Sequence, residues 1–179
     1  TGGMYDHEMG GFFRYSTTAD WTVPHFEKLC EDNSRLLRLY LQAYQVFGKD
    51  LYRETAEKTV GYMNDTLWDE TEGYFCGSQD ADEQYYDLPK EERLKRPALF
   101  VDRTAYANYN AAAAMAYYEA AVILKKPAYR RQADRVLNFL WSNLHEDGMG
   151  MFHYWDPDDG RRHVPGLLAD QVWTAWALL

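Results

Sequence analysis

The sequence has few cysteines and no long apolar run. Its two cysteines, Cys30 and Cys76, belong to no C-x-x-C or paired Cys/His pattern, so neither a disulfide framework nor a metal site is predicted. This cysteine usage fits a reducing compartment, and we expect a cytoplasmic location. No stretch approaches the ~20 apolar residues of a membrane span, and no signal peptide is recognisable. Contact with a membrane is therefore not expected.

Positive charge is also scarce. Lys and Arg number 19 against 28 Asp and Glu, which gives a net charge of −9. Because phosphate binding depends on clustered cations, nucleic acid is not expected as a partner. Aromatic residues are plentiful at 16%, which argues against disorder and favours a groove on which sugars can stack.

The length of 179 residues suits one domain. Thr1-Gly2-Gly3 is typical of the interior of a loop. The apolar helical pattern of residues 170–179 is interrupted before a helix-ending signal. We therefore expect residues 1–179 to form a single partial domain. Its uncovered apolar helix faces would favour self-association.

An internal repeat at an offset of 77 residues organises the chain. The matches are Asn33 with Asn110, Tyr52-Arg53 with Tyr129-Arg130, and Gly73-Tyr74-Phe75 with Gly150-Met151-Phe152. Gly11-Phe12-Phe13 is an earlier echo of the glycine-aromatic turn, and Asp170-Gln171 is a later echo of Asp32-Asn33. Each unit is predicted to be a pair of helices followed by a glycine-aromatic turn.

Apolar periodicity places the helices and so the loops between them. It predicts helices from just after Pro24 to Gly48, over 51–67, 106–124 and 128–144, and from about Gly166 onward. The links at 48–50 and 125–127 are short, whereas the segments 1–23, 68–103 and 145–165 are long. In an up-and-down array the long segments share one end, which is the predicted location of a site.

Four motifs in these segments resemble one known family. They are Gly2-Gly3-Met4-Tyr5-Asp6-His7, Gly10-Gly11-Phe12-Phe13-Arg14-Tyr15-Ser16, Trp21-Thr22-Val23-Pro24-His25-Phe26-Glu27-Lys28 and Gly77-Ser78-Gln79-Asp80-Ala81-Asp82. They are similar to the thioredoxin-domain-containing family of spermatogenesis-associated protein 20. The resemblance implies an all-α fold, with helical hairpins of an (α/α)6 toroid of the six-hairpin glycosidase type and short β-hairpin turns at one end. It also implies kinship with N-acylglucosamine 2-epimerases.

In that family a thioredoxin-like domain precedes the toroid. No such domain is present in this sequence, so the resemblance implies that domain of the full-length protein as a partner and no redox chemistry here. Two complete and two partial units are fewer than the six of a closed ring, so we expect a truncated toroid. Cys30 stands where family members commonly carry Met.

His25 and His7 are the first candidates for catalysis. In sugar 2-epimerases of the fold that the resemblance implies, two histidines exchange the proton next to the sugar carbonyl, and histidine titrates near neutral pH. The alternative is that His25 caps loop backbone as a structural residue.

Asp80 and Asp82 are the second candidates, in an acidic cluster with Glu83. Paired carboxylates are what glycoside hydrolysis needs. The cluster lacks the glycine and spacing of a calcium loop. Turn stabilisation by the Asp side chains is the remaining alternative.

Other polar and aromatic residues on the long loops are candidates for substrate binding. They are Arg14, Tyr15, Trp21, Gln79, Glu83, Asn110 and His153. Arg14, Cys76 and His153 each follow a glycine-aromatic turn and are predicted to be equivalent. Asn33, Asn110 and Gln171 interrupt apolar stripes, and a structural role is favoured for them because buried amides need partners.

The sequence thus predicts a carbohydrate-active or carbohydrate-binding domain without a cofactor. If it is an enzyme, a sugar 2-epimerase-like isomerase or a glycoside hydrolase is expected, with a sugar as ligand. The alternative is a non-catalytic module that binds clients for the adjoining thioredoxin-like domain.

Overall fold

The computed structural model describes residues 2–179 and is built from helical hairpins. The helices are α1 (Cys30–Phe47), α2 (Asp50–Tyr62), α3 (Glu83–Tyr86), α4 (Lys90–Arg93), α5 (Ala107–Ile123), α6 (Pro127–Phe139) and α7 (Leu168–Leu178). Helix α5 packs between α1 and α7, while α2 packs on α1 and α6 packs on α5. The helices α1, α5 and α7 therefore form an inner row, and α2 and α6 lie outside it.

Local sequence explains how these helices begin, end and pack. Helix α1 ends at Gly48, which adopts the left-handed conformation with φ of 65° and donates its N–H to Tyr44 O. Helix α5 buries an alanine-rich run, Ala111 to Ala114. The small side chains let α1, α6 and α7 all approach it closely.

Both outer helices end in a π-helical turn. These turns are Met63–Leu67 after α2 and Leu140–Leu144 after α6, and they lie 77 residues apart. Their first and last side chains are fully buried. The predicted repeat and the predicted ends of both helices are therefore confirmed.

Short antiparallel strands gather around the long loops. The strands are β1 (Tyr15–Ser16), β2 (Pro24–His25), β3 (Lys28–Leu29), β4 (Trp68–Asp69), β5 (Tyr74–Phe75), β6 (Ser78–Gln79), β7 (Val101–Asp102), β8 (Ala105–Tyr106), β9 (His145–Glu146), β10 (Gly150–Asp156) and β11 (Arg161–Pro165). They pair as β1-β2, β3-β6-β7, β4-β5 and β11-β10-β8, with β9 also on β10. The sheet β3-β6-β7 joins the first long loop to the second.

The prediction that the first helix begins just after Pro24 is wrong, because α1 begins at Cys30. His25 lies on β2 and Lys28 on β3, whose backbone pairs with β6. Phe26 stacks on Tyr86 instead of continuing the helical face. Phe26 and Leu29 have the three-residue spacing of one helix face, although Phe26 packs outside the helix.

Both cysteines are buried and free, as their spacing predicted. Among residues 2–179 no helix combines the length and the apolar character that crossing a membrane requires. Helix α7 leaves Leu168, Val172 and Trp176 exposed, and the expected self-association stays a prediction.

Candidate functional site at the loop end

Buried amide side chains tie the long loops to the inner helices. Asn33 Oδ1 accepts the N–H of Phe12 at 2.7 Å, and Asn33 Nδ2 donates to Phe12 O at 3.0 Å. Asn110 makes the same two bonds to Phe75, at 2.7 and 2.9 Å. We call each such pair of bonds an amide clasp. It holds a strand against the first turn of an inner helix.

Gln171 forms the third amide clasp. Its Oε1 accepts the N–H of Met151 at 2.9 Å and its Nε2 donates to Met151 O at 2.8 Å. Asn110 is fully buried, and its second amide hydrogen is donated to Tyr106 O. It therefore has no donor left for a ligand, and the predicted substrate-binding role of Asn110 gives way to a structural one.

The clasps also fix which residues are equivalent. Counting two residues beyond each clasped residue gives Arg14, Gly77 and His153. The prediction that Cys76 belongs to this set is off by one residue. A side chain at Gly77 would lie 2.8 Å from Asp102 Oδ2, so the middle unit has no room for a functional group there.

The first loop brings three of the predicted residues together. Strands β1 and β2 place Tyr15 opposite His25, and their rings stack at 4.9 Å with 15° between planes. Arg14 donates to Glu27 Oε2 at 2.7 Å, and His25 Nδ1 lies 3.9 Å from the same oxygen. Glu27 therefore joins Arg14 and His25 in one polar group.

A cavity of about 560 Å³ adjoins this group. Its lining includes Arg14 and Trp21 from the first loop and Asp32 and Arg35 from α1. The indole of Trp21 is 64% exposed. The predicted residues Arg14 and Trp21 thus face one cavity together with charged residues that the sequence did not single out.

A row of aromatic rings runs from α5 through β8 to β10 in the third loop. Burial is the main cause that raises the pKa of Tyr109 to about 12, and the nearby carboxylates of Glu31 and Asp32 contribute to this rise. The Tyr109 ring lies 4.9 Å from Tyr106, which lies 5.5 Å from His153. We use the name loop-end site for the group formed by these residues and the first loop. Its members are Arg14, Tyr15, Trp21, His25, Glu27, Glu31, Asp32, Tyr106, Tyr109 and His153.

His153 contacts a carboxylate that sequence analysis gave no catalytic role. His153 Nδ1 lies 3.0 Å from Asp170 Oδ2, and Asp170 is fully buried at the start of α7. Burial raises the pKa of Asp170, and the hydrogen bond from His153 opposes that rise. The pair joins α7 to β10.

His7 lies in the loop before the first clasp. Its exposed ring packs edge-on against Tyr5 at 5.2 Å. Tyr5 in turn pairs with Phe12 through an isolated β-bridge. The role of His7 in catalysis stays a prediction.

The acidic cluster makes turns in the second loop. Asp82 Oδ1 accepts the N–H of Tyr85 and caps α3, while Asp80 Oδ1 accepts the N–H of Ala81. Gln79 accepts from the Tyr86 hydroxyl at 3.0 Å, and Glu83 is exposed in the first turn of α3. Asp82 lines a different cavity, of about 310 Å³. These contacts favour turn architecture, although catalysis by Asp80 and Asp82 stays a prediction.

Sequence analysis missed a buried ionic group beside the first clasp. Asp6 accepts from Lys28 Nζ at 2.8 Å and from Arg93 at 2.8 Å, and all three side chains are almost fully buried. Burial would raise the pKa of Asp6, but the two cations outweigh it and hold that pKa below its usual value. Burial lowers the pKa of Lys28 to about 8, against the opposing effect of Asp6.

One group of side chains has the spacing of metal ligands. Asp156, Asp159 and His163 on the β10–β11 hairpin offer atoms within 4.8 Å of one another. His163 Nε2 lies 3.0 Å from Asp159 Oδ2. That pairing accounts for the cluster without an ion, since exposed acidic groups gather commonly at tight turns.

The chain was compared with known protein families, sequences and solved structures. No family model matches the chain. The chain is 40% identical to spermatogenesis-associated protein 20 of Mus musculus over 94 residues, which cover 52% of this chain and 11% of that protein. For the Homo sapiens protein the identity is 40% over 102 residues, covering 56% and 12%. The chain thus matches about a tenth of the length of these relatives.

A cellobiose 2-epimerase of Bacteroides fragilis is 33% identical over 66 residues, which cover 37% of this chain and 17% of that enzyme. Among solved structures, cellobiose 2-epimerase from Spirochaeta thermophila has a TM-score of 0.76 at 18% identity, covering 98% of this chain and 42% of that one. A family 76 glycoside hydrolase from a bovine Bacteroides thetaiotaomicron strain has a TM-score of 0.63 at 12% identity, covering 85% and 30%. The chain is a partial homologue of spermatogenesis-associated protein 20, as its motifs predicted, and it has the helical-hairpin fold of (α/α)6 sugar epimerases and glycoside hydrolases.

Proposed function

We propose that the loop-end site binds a sugar and exchanges the proton on the carbon next to the sugar's carbonyl group. The observation that carries the proposal is the cavity of about 560 Å³, in which the exposed indole of Trp21 adjoins Arg14, Asp32 and Arg35. Its size is within the range of small-molecule sites, and an aromatic face with nearby charged groups suits a sugar.

Each residue of the first loop has a role in this proposal. Trp21 and Tyr15 offer flat faces for the sugar ring, and Asp32 accepts hydrogen bonds from its hydroxyls. Arg14 stabilises the negative charge that develops on the carbonyl oxygen as the neighbouring proton leaves. His25 carries one of the two proton transfers, and His7 is the partner that the sequence predicts.

Proton NMR in heavy water tests the proposal directly. The chain is incubated with glucose, mannose, N-acetylglucosamine, N-acetylmannosamine and cellobiose, and the signal of the proton next to the carbonyl is followed. We expect that signal to disappear with at least one sugar, and we expect His25→Gln to slow the loss.

Two tryptophan variants separate sugar binding from chemistry. Trp21→Ala should weaken sugar binding, measured by sugar-induced shifts of backbone amides, because it removes the stacking face. Trp141→Ala is the matched control, since Trp141 is also exposed but stacks on His145. No exchange and no sugar-induced shift with any of the five sugars would overturn the proposal and favour the client-binding alternative.

A further inference from the structure

Asp170 is an ionisable side chain buried with one titratable partner. Its carboxylate is fully buried and lies 3.0 and 3.2 Å from His153 Nδ1 through its two oxygens. The backbone N–H of Asn108 also hydrogen-bonds this carboxylate. Burying a carboxylate is unfavourable unless it is hydrogen-bonded, so these two contacts hold it in place.

His153 is oriented by this contact. Because the carboxylate can only accept, the neutral ring carries its hydrogen on Nδ1 and presents the lone pair of Nε2 on the other side. The side chain is 29% exposed, and Nε2 has no hydrogen-bond partner within residues 2–179. The ring thus offers a basic nitrogen beside Tyr106, within the loop-end site.

Two further histidine–carboxylate pairs among the described residues are either longer or more exposed. His25 Nδ1 lies 3.9 Å from Glu27. His163 pairs with Asp159 at 3.0 Å, but both side chains are at least one-third exposed. Only the pair on α7 and β10 combines a fully buried carboxylate with a histidine that reaches the surface. This combination fixes ring orientation and leaves the reactive nitrogen accessible.

We propose that His153 is the base that removes the sugar proton, in place of His7, and that Asp170 is the positioning residue that fixes its ring. The inference rests on the proposed function, because it names a residue for that reaction. His153 is the member of the loop-end site that follows the third amide clasp, as Arg14 follows the first.

The step balances without an oxidant or reductant. His153 Nε2 takes the proton from the carbon next to the carbonyl, the C–H electron pair becomes a C=C bond, and the carbonyl π electrons move to the oxygen. His25 then returns a proton to the same carbon, and the carbonyl bond forms again. The two histidines re-equilibrate their protons with water.

The groups around His153 that can change its titration are few. Asp170 faces it from α7, Tyr106 from β8 and Tyr154 from β10. Behind them, Asp102 lies 3.4 Å from the Tyr106 hydroxyl, and His163 stacks on Tyr154. Asp170 is the charged group in direct contact, so its replacement should dominate any change.

The first test is nitrogen NMR of the histidine rings in the unliganded chain, which needs no activity. We expect His153 to be the Nδ1–H tautomer when neutral. Asp170→Asn should favour the Nε2–H tautomer, because an asparagine amide can donate to Nδ1. Asp159→Asn is the matched control and should change His163 alone. An Nε2–H tautomer of His153 in the unsubstituted chain overturns the inference.

The second test repeats the heavy-water exchange experiment with His153→Gln, Asp170→Asn and His7→Gln. We expect the first two variants to slow exchange by about 10²- to 10⁴-fold, with sugar-induced shifts at Trp21 retained. His145→Gln is the control and should stay near the original rate, because the His145 ring stacks on Trp141 and is not part of the loop-end site. Thermal unfolding of each variant verifies that it folds. If Asp170→Asn does not fold, the tautomer of His153 in the unsubstituted chain still tests the inference.

The outcomes separate the two proposals. Exchange that survives in His153→Gln overturns the inference and leaves the proposed function intact. Exchange that is lost in His7→Gln but not in His153→Gln assigns the base to His7 instead. An unsubstituted chain that exchanges no proton with any sugar overturns both.

Discussion

The first and third loops are attached to their inner helices in the same way but use their buried carboxylates differently. Asn33 clasps Phe12 and Gln171 clasps Met151 through equivalent bonds. Beside the first clasp, Asp6 lies between the cations Lys28 and Arg93. Beside the third clasp, the buried carboxylate has a single side-chain partner, the imidazole of His153.

This difference separates a structural carboxylate from one that, in our proposal, orients a base. At Asp6, both partners are cationic and almost fully buried, so the group holds three segments together and exposes no reactive atom. At Asp170, the partner ring reaches the surface. Equivalent amide clasps can therefore lie beside buried carboxylates with different roles. The side chain that pairs with a buried carboxylate indicates which role it has.

The largest effect is expected at the first loop. Asp6→Ala leaves Lys28 and Arg93 buried without a counter-charge, and breaking such a group lowers the free energy of unfolding by about 3–5 kcal/mol. Asp170→Ala should lower it less, because the histidine beside it can remain neutral. Urea unfolding of both variants measures the difference. Equal losses at the two sites would contradict the distinction drawn between them.

The clasps should differ in strength. Asn33→Ala leaves both backbone groups of buried Phe12 without partners and should lower the free energy of unfolding by about 3 kcal/mol. Gln171→Ala removes a half-buried amide, and about 1 kcal/mol is expected there. The same urea experiment compares them. A greater loss for Gln171→Ala would show that the third clasp, not the first, is the stronger anchor.

The two carboxylates should also respond to pH with opposite signs. The folded pKa of Asp6 lies below the ordinary value of 3.8 for an aspartate, so its stabilisation is present above pH 3.8 and is lost as the pH falls through the folded value. The pKa of Asp170 is raised above 3.8, so the folded state holds that proton more tightly, and stability falls as the pH rises from 3.8 through the folded value.

We expect these changes to be smaller than the loss caused by Asp6→Ala, because only the protonation of one carboxylate changes and no buried charge loses its partner. Urea unfolding from pH 3 to pH 7 of the unsubstituted chain, Asp6→Asn and Asp170→Asn isolates each carboxylate. The stability difference for Asp6→Asn should grow with rising pH, and that for Asp170→Asn should shift the opposite way. If the stability differences of the two variants changed with pH in the same direction, the distinction between the two carboxylates would be contradicted.

Much of the framework could be read from the sequence, because it repeats. The offset of 77 residues located the paired helices and marked Asn33 and Asn110 as equivalent, and the later echo of Asp32-Asn33 in Asp170-Gln171 added Gln171. Their structural role follows from the unfavourable burial of an unpaired amide. The start of α1 was misplaced, because the segment between β2 and β3, which packs Phe26 on Tyr86, has the same local spacing as a helical turn.

The buried ionic contacts could not be read in this way. Asp6 and Arg93 are 87 residues apart, and no local pattern joins them. His153 and Asp170 are only 17 residues apart, but their contact depends on the register of the β10–β11 hairpin. Register is set by side-chain packing and turn geometry together, which periodicity alone does not determine.

The amide clasps make the loops between them replaceable. The clasped residues are separated by 21 positions in the first unit, 35 in the second and 20 in the third, yet each strand reaches the same place on its helix. Evolution, or a protein engineer, can therefore lengthen the intervening segment without moving its anchors. New side chains can be added at the loop end by insertion there, while the helical scaffold stays unchanged.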